Sequence, residues 1–236
     1  MSEENLIDKN CSVWTSPPFD YNTISKVNDL KKNNIKDFND SFYSDLSFGT
    51  GGMRGIVGVG PNRVNKYTFG RNTQGISNYI NKNFKNEFKS VVIAYDCRNE
   101  SEFLANKVTE IFSANNIKVF LFSSLRPTPE LSYALVKLNC LCGIVLTASH
   151  NPPEYNGYKV YWKDGGQIVP PIDETRVYSD PQGFSVGEHR DGNDVDFPEM
   201  YQDKLAKWSR KLHLCLNGKD ILPPALQPCL QGIKSH

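Results

Sequence analysis

An apolar run, Leu141-Cys-Gly-Ile-Val-Leu-Thr147, leads straight into Ala148-Ser149-His150-Asn151-Pro152-Pro153. A strand that stops at such a turn fixes where a hydroxyl points, and Pro152 stiffens the loop beyond it. Three roles are open to Ser149: nucleophile, phosphoryl carrier or turn residue. Ser–His hydrolysis is disfavoured by the order of the residues. Ser149 and His150 are chain neighbours, which seldom aim at each other, and a base also needs a third group to orient it. The G-x-S-x-G elbow is absent, because Thr147 and Asn151 stand where the glycines would be.

Handling phosphate calls for cations and backbone N–H donors that converge on one point. Thr50-Gly-Gly-Met-Arg54 offers exposed amides and one guanidinium. Lys159 comes ten residues after Ser149, just beyond Asn156-Gly157. Read as a hairpin that turns through Asn156-Gly157, this segment returns Lys159 to the side of Ser149. Arg54, His150 and Lys159 would then surround one hydroxyl. Taken singly, Arg54 also reads as a solvated surface charge and Lys159 as an edge-strand charge.

The elements that must position these groups can be read from periodicity. Residues 1–20 read as a loose leader ending at Ser16-Pro-Pro-Phe-Asp20. Ile24, Val27, Leu30, Ile35, Phe38, Phe42 and Leu46 recur at helical spacing and predict two helices, or one broken near Lys32-Asn33-Asn34. The glycine-rich Phe48–Gly60 stretch predicts a loop entering a short strand and turn. A helix is expected over Tyr67–Phe84, a buried strand over Ser90–Asp96 and a helix from Ser101, which could cap it, to Asn115. Further strands are expected over Lys118–Phe122, Leu141–Thr147 and Gly157–Trp162, with a proline-opened helix over Pro127–Leu138. Alternating strands and helices with short connections imply βαβ units and a mostly parallel sheet covered on both faces. Ligands of such sheets lie beyond the carboxyl ends of the strands, which puts Asp96, the loop after Phe122 and Thr147–Pro152 on one rim.

Composition sets the outer limits. The chain has 236 residues, 27 Lys+Arg against 26 Asp+Glu, and 39% hydrophobic residues. That charge balance and the scattered aromatics argue against a nucleic-acid partner, and no apolar run reaches membrane-span length. The polar N-terminus is unlike a signal peptide. Six cysteines without a C-x-x-C pair read as buried reduced thiols of a cytoplasmic protein. Beyond residue 160 asparagine nearly vanishes and proline crowds in, so residues 176–236 read as a divergent, irregular, poorly ordered tail. His189, His213 and His236 lie in it at no zinc spacing. The expected organisation is a helical extension over 1–39, one domain over 40–175, and the tail.

Four motifs then fall in one order: Phe48-Gly-Thr-Gly-Gly-Met-Arg-Gly55, Arg126-Pro-Thr-Pro-Glu130, Thr147-Ala-Ser-His-Asn-Pro152 and Asn156-Gly-Tyr-Lys-Val-Tyr-Trp162. Together they resemble the α-D-phosphohexomutases, closest to the phosphoglucomutase/phosphomannomutase group, from about Asp40 to Pro171. The resemblance implies the first domain of such an enzyme, a three-layer αβα unit of α/β class. It implies that Ser149 carries a phosphoryl group and ligates Mg²⁺, and that Lys159 acts as general acid/base. His150 would act beside the phosphoserine, Thr50 and Arg54 would bind phosphate, and glucose 1,6-bisphosphate would be the activator. The implied substrate is a sugar phosphate, converted between its 1- and 6-phosphates through a bisphosphate.

The chain departs from the family pattern beyond this domain. The family's D-G-D-x-D-R metal loop, G-E-x-S-G sugar loop and R-x-S-G-T-E-P phosphate loop are not found. Asp191-Gly-Asn-Asp-Val-Asp196 only echoes the first, with Phe197 where Arg should be. The alternative expectation is therefore a truncated product without turnover of its own. Its next-domain face should then expose apolar surface near Val160, Tyr161 and Ile168.

Overall fold

The computed structural model describes residues 3–49, 51–168 and 233–235. The expected loose leader is helical instead, as α1 (Glu3–Trp14). Ile7, Cys11 and Trp14 share one face of it at i, i+4 and i+7, and they bury against Val27, Phe38 and Phe42. Burial of that stripe is what orders the segment. The two helices read from periodicity are α2 (Tyr21–Asn33) and α3 (Ile35–Phe42). Asn34 serves both: its N–H donates to the Leu30 carbonyl, and its side chain accepts from the Asp37 N–H.

Two polar anchors tie this helical layer to residues 63–67. The Tyr67 hydroxyl donates to Asp20, whose carboxyl is held below the usual range by Lys66 first and then by Tyr67 and Thr23. Arg63, nearly sealed from solvent, pairs with Asp37 and Asp40 at 2.6 Å each. A boundary at residue 39 therefore falls within α3.

The remaining elements are β1 (Gly52–Ile56), α4 (Lys66–Asn83), β2 (Ser90–Tyr95), α5 (Ser101–Ala114), β3 (Lys118–Phe122), α6 (Thr128–Lys137), β4 (Cys142–Leu146), β5 (Tyr155–Trp162) and β6 (Ile233–Ser235). The strands form one sheet in the order β1-β5-β4-β2-β3-β6. The sheet is mixed, with its parallel pairs confined to the central β4-β2-β3 strands. β1–β5, β5–β4 and β3–β6 are antiparallel, a larger antiparallel share than the strand–helix alternation suggested. The reason is local: only the loop of residues 147–154 joins β4 to β5, too short for a parallel crossover.

Alternation along the strands builds three layers. Val91, Ile93 and Tyr95 of β2, with Ile144, Leu146, Tyr158 and Val160, pack beneath α4 and α5. Val92, Ala94, Val145 and Tyr161 face the other way, against Leu131 and Leu135 of α6. Every residue of β2 is buried, which explains its unbroken apolar run. Each large apolar side chain sealed this way adds about 1.5–3 kcal/mol of transfer free energy.

The apolar surface expected near Val160, Tyr161 and Ile168 is not present. All three are buried: Val160 and Tyr161 because β5 lies inside the sheet between β1 and β4 with both faces covered, and Ile168 because its N–H donates to the Val160 carbonyl and its side chain joins the same core. α4 opens with a reciprocal cap between Asn65 and Thr68. α5 does not use Ser101 as its cap. Glu100 precedes the helix in a left-handed conformation, and the Ser101 hydroxyl turns to the Asp96 carboxylate.

Cys11, Cys140 and Cys142 are buried thiols as expected, but Cys97 is exposed on the β2–α5 connection. Among the described residues, no helix is long and apolar enough to cross a membrane. Thr50 lies outside the described residues. So do the expected tail short of residue 233, the Asp191–Asp196 loop, and His189, His213 and His236.

Candidate active site

Ser149 stands exposed on the loop after β4, at the carboxyl end of the central parallel strands. Its backbone is left-handed, with φ +58°, and its N–H donates to the Thr147 hydroxyl at 2.9 Å. Among the described residues its own hydroxyl is committed to no hydrogen bond, so it is free to react. His150 is exposed beside it.

Lys159 comes back to this end of the sheet, though not by the turn expected. Asn156 and Gly157 are inside β5, and the chain reverses over residues 149–154. Asn156 is fully buried and donates to the Asn99 carbonyl and the Ser101 hydroxyl, a tie that a turn residue would not make. Lys159 pairs with Val145 of β4 on one side and with Gly52 of β1 on the other. Arg54, opposite Gly157, lies on the same face of the sheet as Lys159. Its guanidinium reaches the loop itself, donating to the Asn151 side chain at 3.3 Å. Arg54 thus reaches the Ser149 loop, and Lys159 lies on the same face of the sheet, opposite Val145 of β4. Gly51, just before β1, is anchored to β5 and Gln167: its carbonyl accepts from the Val160 N–H and from the Gln167 side chain.

The electrostatics suit proton transfer. Partial burial lowers the Lys159 pKa, the Arg54 charge lowers it further, and Asp96 pulls it back up. A lysine made easier to deprotonate is a better general base near neutral pH. Because the folded state holds this proton less tightly than the unfolded chain does, stability should rise as pH approaches the ordinary lysine value. Arg54→Met should move the Lys159 pKa upward in a ¹³C-NMR titration of lysine side chains. A downward shift, or none, would show that the two charges do not sense each other.

Two residues organise the loop in ways the sequence did not lead us to expect: Arg98, outside the four motifs, and Asn156, read from the sequence as part of a turn. Arg98 donates to four loop carbonyls and pairs with Asp96, and Asn156 links the start of β5 to α5. The available signal was Asp96-Cys-Arg98 directly after an all-apolar strand, where charges at a strand end are seldom idle.

The residues present do not make a metal cage. Among the described residues, no three His, Cys, Asp or Glu side chains converge. Asp96 on the rim is already engaged by the Arg98 N–H and the Ser101 hydroxyl. Mg²⁺ asks for one or two carboxylates beside phosphate and water.

This sequence and fold match known proteins. The phosphoglucomutase/phosphomannomutase family, alpha/beta/alpha domain I, matches residues 45–180. A phosphoglucomutase of Staphylococcus haemolyticus is 46% identical over 127 residues, covering 54% of this chain and 23% of that protein. Human phosphopentomutase is 31% identical over 221 residues, covering 90% of this chain and 34% of its own. A match that long extends past residue 180, into the region that composition set apart. A crystal structure assigned as a phosphomannomutase of Thermus thermophilus superposes with a TM-score of 0.52 at 27% identity, over 62% of this chain and 32% of that one.

The α/β/α layers, with an exposed serine loop at the strand ends, define a phosphosugar-mutase first domain. The chain belongs to the phosphoglucomutase/phosphomannomutase family. It spans about a quarter to a third of the length of the curated relatives it matches.

Proposed function

We propose that Ser149 is the phosphoryl carrier of a phosphohexomutase that interconverts sugar 1- and 6-phosphates, with glucose phosphates as the first substrates to test. The observation that carries this reading is an uncommitted serine hydroxyl on a loop that the Arg54 guanidinium reaches, with Lys159 on the same face of the sheet as Arg54. In the charging step, Ser149 Oγ attacks the phosphorus of a sugar bisphosphate. The Oγ–P bond forms, the P–O bond to the sugar breaks, and the serine proton passes through Lys159 to the departing sugar oxygen. In the return step, a hydroxyl of the bound monophosphate attacks phospho-Ser149. Lys159 takes that hydroxyl's proton, and Ser149 Oγ regains one.

Phosphoryl transfer needs little covalent help from protein. Positioning and neutralised charge do most of the work, and Arg54 supplies charge beside the loop. His150 and the Thr50 loop are proposed to complete the phosphate contacts. Mg²⁺, with phospho-Ser149 as one ligand, would add neutralising charge, and glucose 1,6-bisphosphate would prime the serine.

A second reading concerns turnover. Arg54 and Lys159 would serve one phosphate position, whereas a bisphosphate that must present each end in turn needs its far phosphate held as well. The chain as given would then accept phosphate without completing the cycle. The test is intact-mass and phosphopeptide analysis after incubation with glucose 1,6-bisphosphate and Mg²⁺, run beside a glucose 1-phosphate to 6-phosphate assay. A phosphate on Ser149 without isomerisation supports carrier function alone, and both together support a complete mutase. A chain that gains no phosphate on Ser149 overturns the proposal.

A further inference from the structure

We propose that Arg98 is the positioning residue of the reactive serine: its guanidinium holds the loop of residues 149–155 so that the Ser149 hydroxyl keeps one direction. This rests on the carrier role proposed for Ser149. Nη2 of Arg98 donates to the carbonyls of Ser149, at 2.8 Å, and Asn151, at 2.7 Å. Nη1 donates to those of Pro152, at 2.8 Å, and Tyr155, at 2.9 Å. On the other side, Nε lies 3.6 Å from the Asp96 carboxylate, which also accepts the Arg98 N–H. The Arg98 side chain is only 12% exposed, although two of the carbonyls it reaches, those of Ser149 and Pro152, belong to exposed loop residues.

The loop needs such a partner. The carbonyls of Ala148, Pro152 and Glu154 accept backbone N–H groups, whereas those of Ser149 and Asn151 have no backbone partner and depend on Arg98. A planar five-donor fork reaches four carbonyls at once, those of Ser149 and Asn151 among them, which a lysine ammonium cannot do. The consequence for Ser149 is specific. Its N–H is fixed by Thr147 and its carbonyl by Arg98, so both peptide units around it are pinned. That is the condition under which a non-glycine residue stays in a left-handed conformation, and with it the direction of the Cα–Cβ bond is set.

Asp96 and Ser101 extend the brace. Asp96 accepts from the Ser101 hydroxyl, and Asn156 donates to that same hydroxyl, so the loop is held at its centre by Arg98 and at its exit by α5.

The test uses the full chain with Arg98→Ala and Arg98→Lys. It reads hydrogen–deuterium exchange over 147–155 and over β2, together with the rate of Ser149 phosphorylation by glucose 1,6-bisphosphate and Mg²⁺. In R98A the loop should exchange at least about tenfold faster with β2 unchanged, and phosphorylation should slow by about 10²-fold, the expected penalty for a misplaced reacting group. Added guanidinium ion should restore part of the rate to R98A, whereas methylammonium should not. R98K keeps the charge and the Asp96 pair but lacks the fork. It should melt near the wild type and still phosphorylate slowly, and it carries the same readouts should R98A fail to fold. Loop exchange unmoved by the substitution, or phosphorylation at the wild-type rate, overturns the proposal. Should the wild type itself take no phosphate, the carrier reading falls, and loop exchange alone then decides whether Arg98 orders the loop.

Discussion

Ser149→Ala should take up no phosphate from glucose 1,6-bisphosphate, a loss of at least about 10⁴-fold in transfer rate, while folding as the wild type does. The reasoning separates chemistry from stability. The Ser149 hydroxyl makes no hydrogen bond among the described residues, so removing it breaks nothing that holds the fold. The backbone at this position is another matter. An L-residue at φ +58° pays a steric penalty that glycine avoids. Ser149→Gly should therefore be equally inert but more stable than Ser149→Ala, by about 1 kcal/mol in chemical denaturation. Equal stability of the two variants would show that the left-handed conformation is unstrained. Residual phosphate in both, mapped to another side chain, would move the carrier role elsewhere.

Most of the scaffold was legible because it rests on periodicity. The apolar Val91–Tyr95 run fits a strand covered on both faces, and the spacing of Val27, Phe38 and Phe42 fits helices with one apolar side. The readings that failed depended on what neighbours supply. Residues 1–20 look polar overall, and three apolar side chains matter only because α2 and α3 present a surface for them. Asn156-Gly157 has the composition of a turn, yet a long-range partner, Ser101, draws Asn156 inward and keeps the strand extended. Arg98 was illegible for the same reason. Its role consists of bonds to carbonyls more than fifty residues away, and carbonyls leave no trace in residue type.

The strand that carries Lys159 offers the sharpest test of whether geometry, and not residue type alone, makes the site. Gly157 sits where β5 is pressed between its neighbours. A Cβ placed there would come within 2.6 Å of the Thr147 carbonyl oxygen and 2.9 Å of that of Met53, both backbone atoms that cannot swing aside. Gly157→Ala must push β1 or the root of the serine loop away from β5. That should destabilise the chain by about 3 kcal/mol and lower its melting temperature by roughly 10 °C. Because Arg54 is held opposite Gly157 and the Thr147 N–H donates to the Gly157 carbonyl, the same displacement separates Arg54, Lys159 and Ser149 from one another. Below its melting temperature, G157A should remain folded and yet accept phosphate about 10²-fold more slowly. Gly75→Ala in α4 is the matched control. A Cβ there meets nothing within 4 Å, so it should gain about 0.5–1 kcal/mol from helix propensity and leave the phosphorylation rate alone. If G157A were as stable and as reactive as G75A, β5 would not need its close approach to β1 and the serine loop, and the strand packing would not be what sets Arg54 and Lys159 beside Ser149.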